Sequence, residues 1–152
     1  MVKEKINSLG IRQSQEVVWQ QLQKITVSSR LGNAYLFYGH SGNGKEYIAT
    51  KFAQMLNCEK DLGSICGKCS SCKRAEILQH ENIHLVFPLP TLKNKSSGSI
   101  DEFDKSNVEI ITDNIKRKSE NPFHKIQIPN ANRILIQSIR ALRRKLYLRT
   151  QN

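Results

Sequence analysis

Two short stretches of this chain carry residue types and spacings that could do chemistry. The first is GHSGNGKE, Gly39 to Glu46. It departs by one residue from the pattern G-x-x-x-x-G-K-[ST], in which glycine-freed backbone amides and a lysine cradle phosphates while the final hydroxyl holds magnesium. Gly39, Gly44 and Lys45 stand where the pattern wants them, Gly42 adds a flexible position, and Glu46 replaces the hydroxyl. A glutamate is longer and brings negative charge beside the phosphates, so it repels an anion unless a cation intervenes. The residues predict loop geometry. They leave binding of ATP with magnesium open and argue against hydrolysis, because no later strand ending in acids is visible to hold metal and water. The acids of IDEFD, Ile100 to Asp104, read as a solvated charge run. Nothing resembles a nucleophile–base pair, so no catalytic residue is assigned.

The second stretch is CEKDLGSICGKCSSC, which places Cys58, Cys66, Cys69 and Cys72 in a C-x7-C-x2-C-x2-C array. A C-x2-C hook brings two thiolates to one metal through a tight turn, which Gly67 makes easy. Four thiolates close a tetrahedral zinc shell and leave no open position, so the expected role is structural. Free buried thiols are the plain alternative, and four cysteines within fifteen residues argue against it. An iron–sulfur cluster is the sharper rival, but its run ends in Cys-Pro, and Lys73 follows Cys72 here. His80, His84 and His124 have no ligand-like spacing with the cysteines, and His40 reads as a turn residue.

These stretches need elements to position them. The first 31 residues read as helical, with Val17, Val18, Leu22 and Ile25 at helical spacing and a stop at Arg30-Leu31-Gly32. AYLFYG, residues 34–39, reads as a buried strand. KEYIATKFAQMLNC follows as a helix with Ile48, Phe52 and Leu56 on one face and Met55 beside them. A strand before the glycines and a helix after them is the context that makes a phosphate loop credible, because the helix start offers free amides. SSCKRAEILQH reads as a short helix, and IHLVFP as a second strand stopped by Pro88 and Pro90. Residues from Leu92 to about 130 read as a polar, mobile insertion closed by NPFHKIQIPN. A final amphipathic helix, Gln137 to Tyr147, is expected to turn Ile139, Leu142 and Leu146 inward and Arg140, Arg143 and Arg144 outward. Strand–helix alternation predicts an α/β fold with a parallel sheet, although the two or three strands counted are too few to complete it.

The chain has 152 residues and a formal net charge of +11. Such a balance favours phosphate-rich or acidic partners. From Arg133 to Asn152 there are six basic residues and no acidic one. No apolar run is long enough to span a membrane, and no signal segment opens the chain, so a cytoplasmic location is expected.

A phosphate-loop helix running straight into a four-cysteine module resembles the bacterial DNA polymerase III clamp-loader family, whose gamma/tau and delta-prime subunits share an AAA+ module with a zinc-binding insert. RLGNAYLFYG resembles the segment before the loop, LNC at Leu56 to Cys58 the start of the zinc module, HENIHLVFP the strand that follows, and ILIQSIRALRRKL a later helix. The resemblance implies a P-loop NTPase (AAA+) fold that is incomplete over residues 1–152, with a zinc module at about 58–72 and an insertion at about 92–130. The acidic Walker B strand, sensor segments and collar domain are expected to be absent. Glu46 and the insertion favour a delta-prime-like subunit with a degenerate loop. That subunit is architectural and not itself catalytic. It works beside gamma/tau and delta subunits and acts on the sliding clamp and primer-template DNA through the assembly. Two rival readings stay open: a gamma/tau-type ATP-hydrolysing subunit that tolerates Glu46, and a zinc-containing nucleic-acid-binding module using Arg140, Arg143, Arg144 and Lys145.

Overall fold

The computed structural model describes residues 14–28, 30–91 and 104–149. Expectations for residues 1–13 and for most of IDEFD lie outside the described residues. Five helices follow in order: α1 Glu16–Val27, α2 Lys45–Leu56, α3 Ser70–Glu76, α4 Lys105–Glu120 and α5 Ile136–Arg149. The chain divides into two compact units. One comprises residues up to Ile83 together with Lys118–His124, the other His84–Arg117 together with Lys125 onward.

In the first unit, α1 carries Glu16 in its first turn and Lys24 in its last, each suited to the helix dipole. Its buried stripe is Trp19, Leu22 and Thr26, and the Thr26 hydroxyl donates to the Leu22 carbonyl at 2.9 Å. Val17 is 71% exposed, so the helix face is set by the tryptophan and not by the valine pair. From α2 come Tyr47, Ile48, Phe52 and Met55, which join Trp19 and Leu22 in one core. Each such side chain contributes about 1.5–3 kcal/mol when fully buried. Leu56, expected on the same face, is largely exposed, because the core closes around Met55 and the chain leaves the helix at Asn57.

No strand is present among the described residues, which corrects the expected parallel sheet at residues 34–39 and 83–88. The segment 34–39 is not buried as expected, with Tyr35, Leu36 and Tyr38 at 38%, 86% and 85% exposure, but an alternation remains in that Tyr35 and Phe37 meet the Phe52 ring, at 5.1 and 6.4 Å between centroids. Alternation is a property of one segment, whereas a strand requires ladder hydrogen bonds to a neighbour. Here the first is met without the second.

The second unit corrects the reading of a polar mobile stretch from Leu92 to about 130 over residues 104–130; that reading of residues 92–103 lies outside the described residues. Residues 105–120 form α4, started by Asp104, whose carboxylate accepts from the Asn107 amide at 3.2 Å. Val108, Ile111 and Ile115 recur at helical spacing. Ile111 is buried with Leu89 and Ile128, and Phe87, Ile126 and Leu135 pack around them. Asn114 accepts from the Gln127 amide at 3.2 Å, fixing the return segment on the helix. Helix α5 departs from expectation on one face: Ile139 and Leu146 are 43% and 51% exposed. The basic face is exposed as expected, with Arg143 over the Tyr147 ring at 5.4 Å.

Candidate functional site

Helix α2 carries one candidate site at each end. At its start, the glycines of the loop take positive φ angles of 148° at Gly39, 84° at Gly42 and 78° at Gly44. Gly44 is the residue before the helix, and its left-handed backbone turns the chain into α2, a conformation that favours glycine. The Asn43 side chain accepts from the Lys45 amide at 3.2 Å, and its carbonyl accepts from Gln15 Nε2 at 3.4 Å. Lys45 Nζ donates to the His40 carbonyl at 3.2 Å, closing the lysine back over the loop. Gly39, Gly42, Gly44, Lys45 and Glu46 thus form one continuous turn onto the helix.

Glu46 does not stand alone there. Its carboxylate pairs with Lys118 Nζ, seventy-two residues away in sequence. The Lys118 side chain is 10% exposed and also donates to the Pro122 carbonyl at 3.0 Å. Lys118 and Pro122 belong to the same unit as the loop. No local pattern in the sequence could have found this partner, because it lies within a stretch read as an insertion.

At the other end of α2 the four cysteines converge. Cys58 follows the helix, its amide donating to the Met55 carbonyl at 3.2 Å. Cys69 is the residue before α3, Cys72 sits in its first turn, and Cys66 lies in the connecting loop. All four Sγ atoms lie within 4.8 Å of one another. Cys66 and Cys72 have their sulfurs 3.9 Å apart, close to the edge of about 3.8 Å that a tetrahedron with metal–sulfur bonds of about 2.3 Å would have, and far from a disulfide. Amides of Cys69 and Cys72 point at the sulfurs of Cys66 and Cys69, at 3.4 and 3.3 Å. The group can therefore hold a metal ion by donor type, number and spacing.

The thiols differ in proton affinity. Burial opposes ionisation of Cys58, but amide hydrogen bonds from Cys66, Lys60 and Asp61 outweigh it and bring its pKa down to about 6. The Glu59 amide, followed by that of Cys72, lowers Cys69. Burial pushes Cys72 up to about 12, and its sulfur neighbours add to the rise. In the metal-free group Cys58 is thus readily ionised, whereas Cys72 keeps its proton.

A layer of polar residues behind the cysteines carried no signal in the sequence. Buried Gln54 donates from Nε2 to the Cys72 carbonyl at 2.8 Å and accepts from Lys51 Nζ at 2.7 Å. Glu59 accepts from the Ser70 hydroxyl and the Ser71 amide at 3.0 and 3.2 Å, opposite the start of α3. His80 is buried. Its Nδ1 accepts from the Asn82 amide at 3.0 Å, which places the ring proton on Nε2, 2.8 Å from Ser71 Oγ. Ser71 in turn donates to the Asn57 carbonyl. With Nδ1 occupied as an acceptor, His80 is no ligand; the same nitrogen lies 3.9 Å from Glu81. Arg74 donates twice to Glu81 at 3.0 and 2.9 Å.

The family model described as DNA polymerase III, delta subunit, matches residues 14–151. The chain belongs to this family of clamp-loader subunits. It is similar to DNA polymerase III subunit delta' of Bacillus subtilis (strain 168), 37% identical over 82 residues that cover 53% of this chain and 25% of that protein. Protein STICHEL-like 3 of Arabidopsis thaliana is 37% identical over 76 residues, covering 49% of this chain and 7% of that protein. DNA polymerase III subunit tau of Bacillus subtilis (strain 168) is 37% identical over 60 residues, covering 39% and 11%. The chain therefore spans a quarter or less of these relatives. No solved structure matches. Among the described residues, no helix is long and apolar enough to cross a membrane.

Proposed function

We propose that this protein is a delta-prime-type subunit of the DNA polymerase III clamp loader, an architectural AAA+ partner that helps load the sliding clamp without hydrolysing ATP itself. The observation that carries this reading is Glu46, standing where the magnesium-holding hydroxyl belongs and engaged by Lys118. With Oε2 of Glu46 taken by the Lys118 ammonium, the loop offers a metal a poorer ligand than the hydroxyl it replaces, and without the metal the in-line attack of water lacks its main charge stabilisation. In this reading Gly39, Gly42, Gly44 and Lys45 keep the shape of a phosphate cradle. The chain is part of a P-loop NTPase (AAA+) module, and residues 92–130 are an insertion carrying α4. Cys58, Cys66, Cys69 and Cys72 hold a structural zinc, whose binding free energy stabilises the fold. The protein works in the cytoplasm beside gamma/tau and delta subunits, and reaches clamp and primer-template DNA through that assembly.

A second reading, a gamma/tau-type ATPase, is favoured by the similarity to the tau subunit and by the intact Lys45. Steady-state ATP turnover by the full-length protein separates the two. The architectural reading expects magnesium-supplemented turnover equal to that of Lys45→Ala; turnover that disappears in the variant supports the ATPase instead.

A further inference from the structure

Position 46 of this loop carries a charge that phosphates must meet. In this chain the charge is answered from within: Lys118 at the end of α4 has a side chain nine-tenths buried, rare for a lysine unless it is paired, and its ammonium meets the Glu46 carboxylate. The Pro122 carbonyl holds the same ammonium from the other side at 3.0 Å. Lys45 and Lys118 against Glu46 leave one net positive charge at the loop. That equals the charge of an ordinary Lys-Ser or Lys-Thr loop before magnesium arrives. An unpaired glutamate would have left zero.

We propose that Lys118 is the built-in counter-cation of the phosphate loop, so that a polyphosphate chain, free or on a nucleoside, binds there without a divalent cation. The proposal rests on the reading of Gly39 to Lys45 as a phosphate cradle. The ammonium is tethered by its own chain, so it is present at the site at any magnesium concentration. Magnesium, which demands several oxygens in near-octahedral array, has to compete with it for the Glu46 carboxylate. An ammonium neutralises charge but coordinates neither phosphate oxygens nor water in fixed geometry, so the outcome is binding without turnover.

The test is calorimetry on the full-length protein with ATP and, separately, inorganic tripolyphosphate, each in EDTA and in magnesium. Wild type is expected to bind in EDTA within about threefold of its affinity in magnesium. Lys118→Met is expected to lose about tenfold or more in EDTA and to recover with magnesium, because the freed Glu46 then takes the metal. Lys118→Arg keeps the binding in EDTA. If Lys118→Met does not fold, Glu46→Thr/Lys118→Met removes both charges together and keeps the same net charge; it should bind in EDTA about as wild type does but, unlike wild type, gain about tenfold or more with magnesium, which the threonine hydroxyl can hold, and an affinity as indifferent to magnesium as wild type's overturns the proposal. The pattern with both probes assigns the contact to the phosphate chain; the pattern with ATP alone supports the same counter-cation and adds a nucleoside requirement. Wild-type binding that depends on magnesium, or Lys118→Met binding like wild type in EDTA, overturns the proposal. No binding of either probe in either condition overturns the phosphate-cradle reading beneath it.

Discussion

Gln54 is the joint between α2 and the four-cysteine group, and replacing it gives a prediction with a calculable size. The residue is 2% exposed, and its Nε2 donates to the Cys72 carbonyl at 2.8 Å. Gln54→Met keeps the length and volume of the side chain but leaves a buried carbonyl without its donor, which costs about 1–3 kcal/mol. Gln54→Ala loses the same bond and also the buried methylene packing, worth about 0.8 kcal/mol per group, so its cost is about 2–4 kcal/mol. The carbonyl belongs to a cysteine of the group, so both variants should also release zinc to a chelator more readily than wild type. Denaturant midpoints in the presence of zinc measure the first effect, and competition with a chromogenic chelator measures the second. A Gln54→Met protein within about 0.5 kcal/mol of wild type, with unchanged zinc retention, would show that the hydrogen bond does not couple the helix to the metal site.

Other perturbations have defined outcomes. Gly63 has φ +79°, and an added Cβ would lie 2.4 Å from Val27 Cγ2. Gly63→Ala should therefore destabilise the first unit by about 1–3 kcal/mol, read from the denaturant midpoint, and no change would contradict the packing of α1 on this turn. Zinc requires thiolates, and Cys58 has its pKa lowered to about 6. Cys72, by contrast, is pushed up to about 12, so zinc must expel its proton and the apparent zinc affinity should fall as pH drops through the neutral range; an affinity independent of pH between about 6 and 8 would refute the assigned charge distribution. Cys69→Ser, which removes the sulfur accepting from the Cys72 amide, should lower bound zinc measured by mass spectrometry of the native protein, and full metal content would remove Cys69 from the ligand set. A purified protein with iron–sulfur absorbance in place of zinc would overturn the metal assignment.

What the sequence made legible was local. The glycines and Lys45 predicted a loop onto a helix, and the spacing of Cys58, Cys66, Cys69 and Cys72 predicted a four-sulfur group, because turns and hooks are encoded by neighbours. Helix α4 was also written in the chain, at Val108, Ile111 and Ile115, but the polar residues around them hid the stripe. Long-range partners were not legible. Lys118 reaches Glu46 from within the stretch read as an insertion, and His80 reaches Asn57 through Ser71. Nothing in composition or period announces such pairs. The expected strands failed for a related reason: Tyr35 and Phe37 alternate with Leu36 and Tyr38 as strand residues should, but a ladder depends on a second segment that periodicity does not identify.

The central claim is that this chain serves as an architectural clamp-loader subunit, and assembly tests it most directly. Full-length protein would be mixed with gamma/tau-type and delta-type subunits and followed on a sizing column, with zinc measured across the eluted peak. A single complex containing all the subunits is expected, formed equally well by Lys45→Ala. Elution of this protein apart from the others in every condition would contradict it.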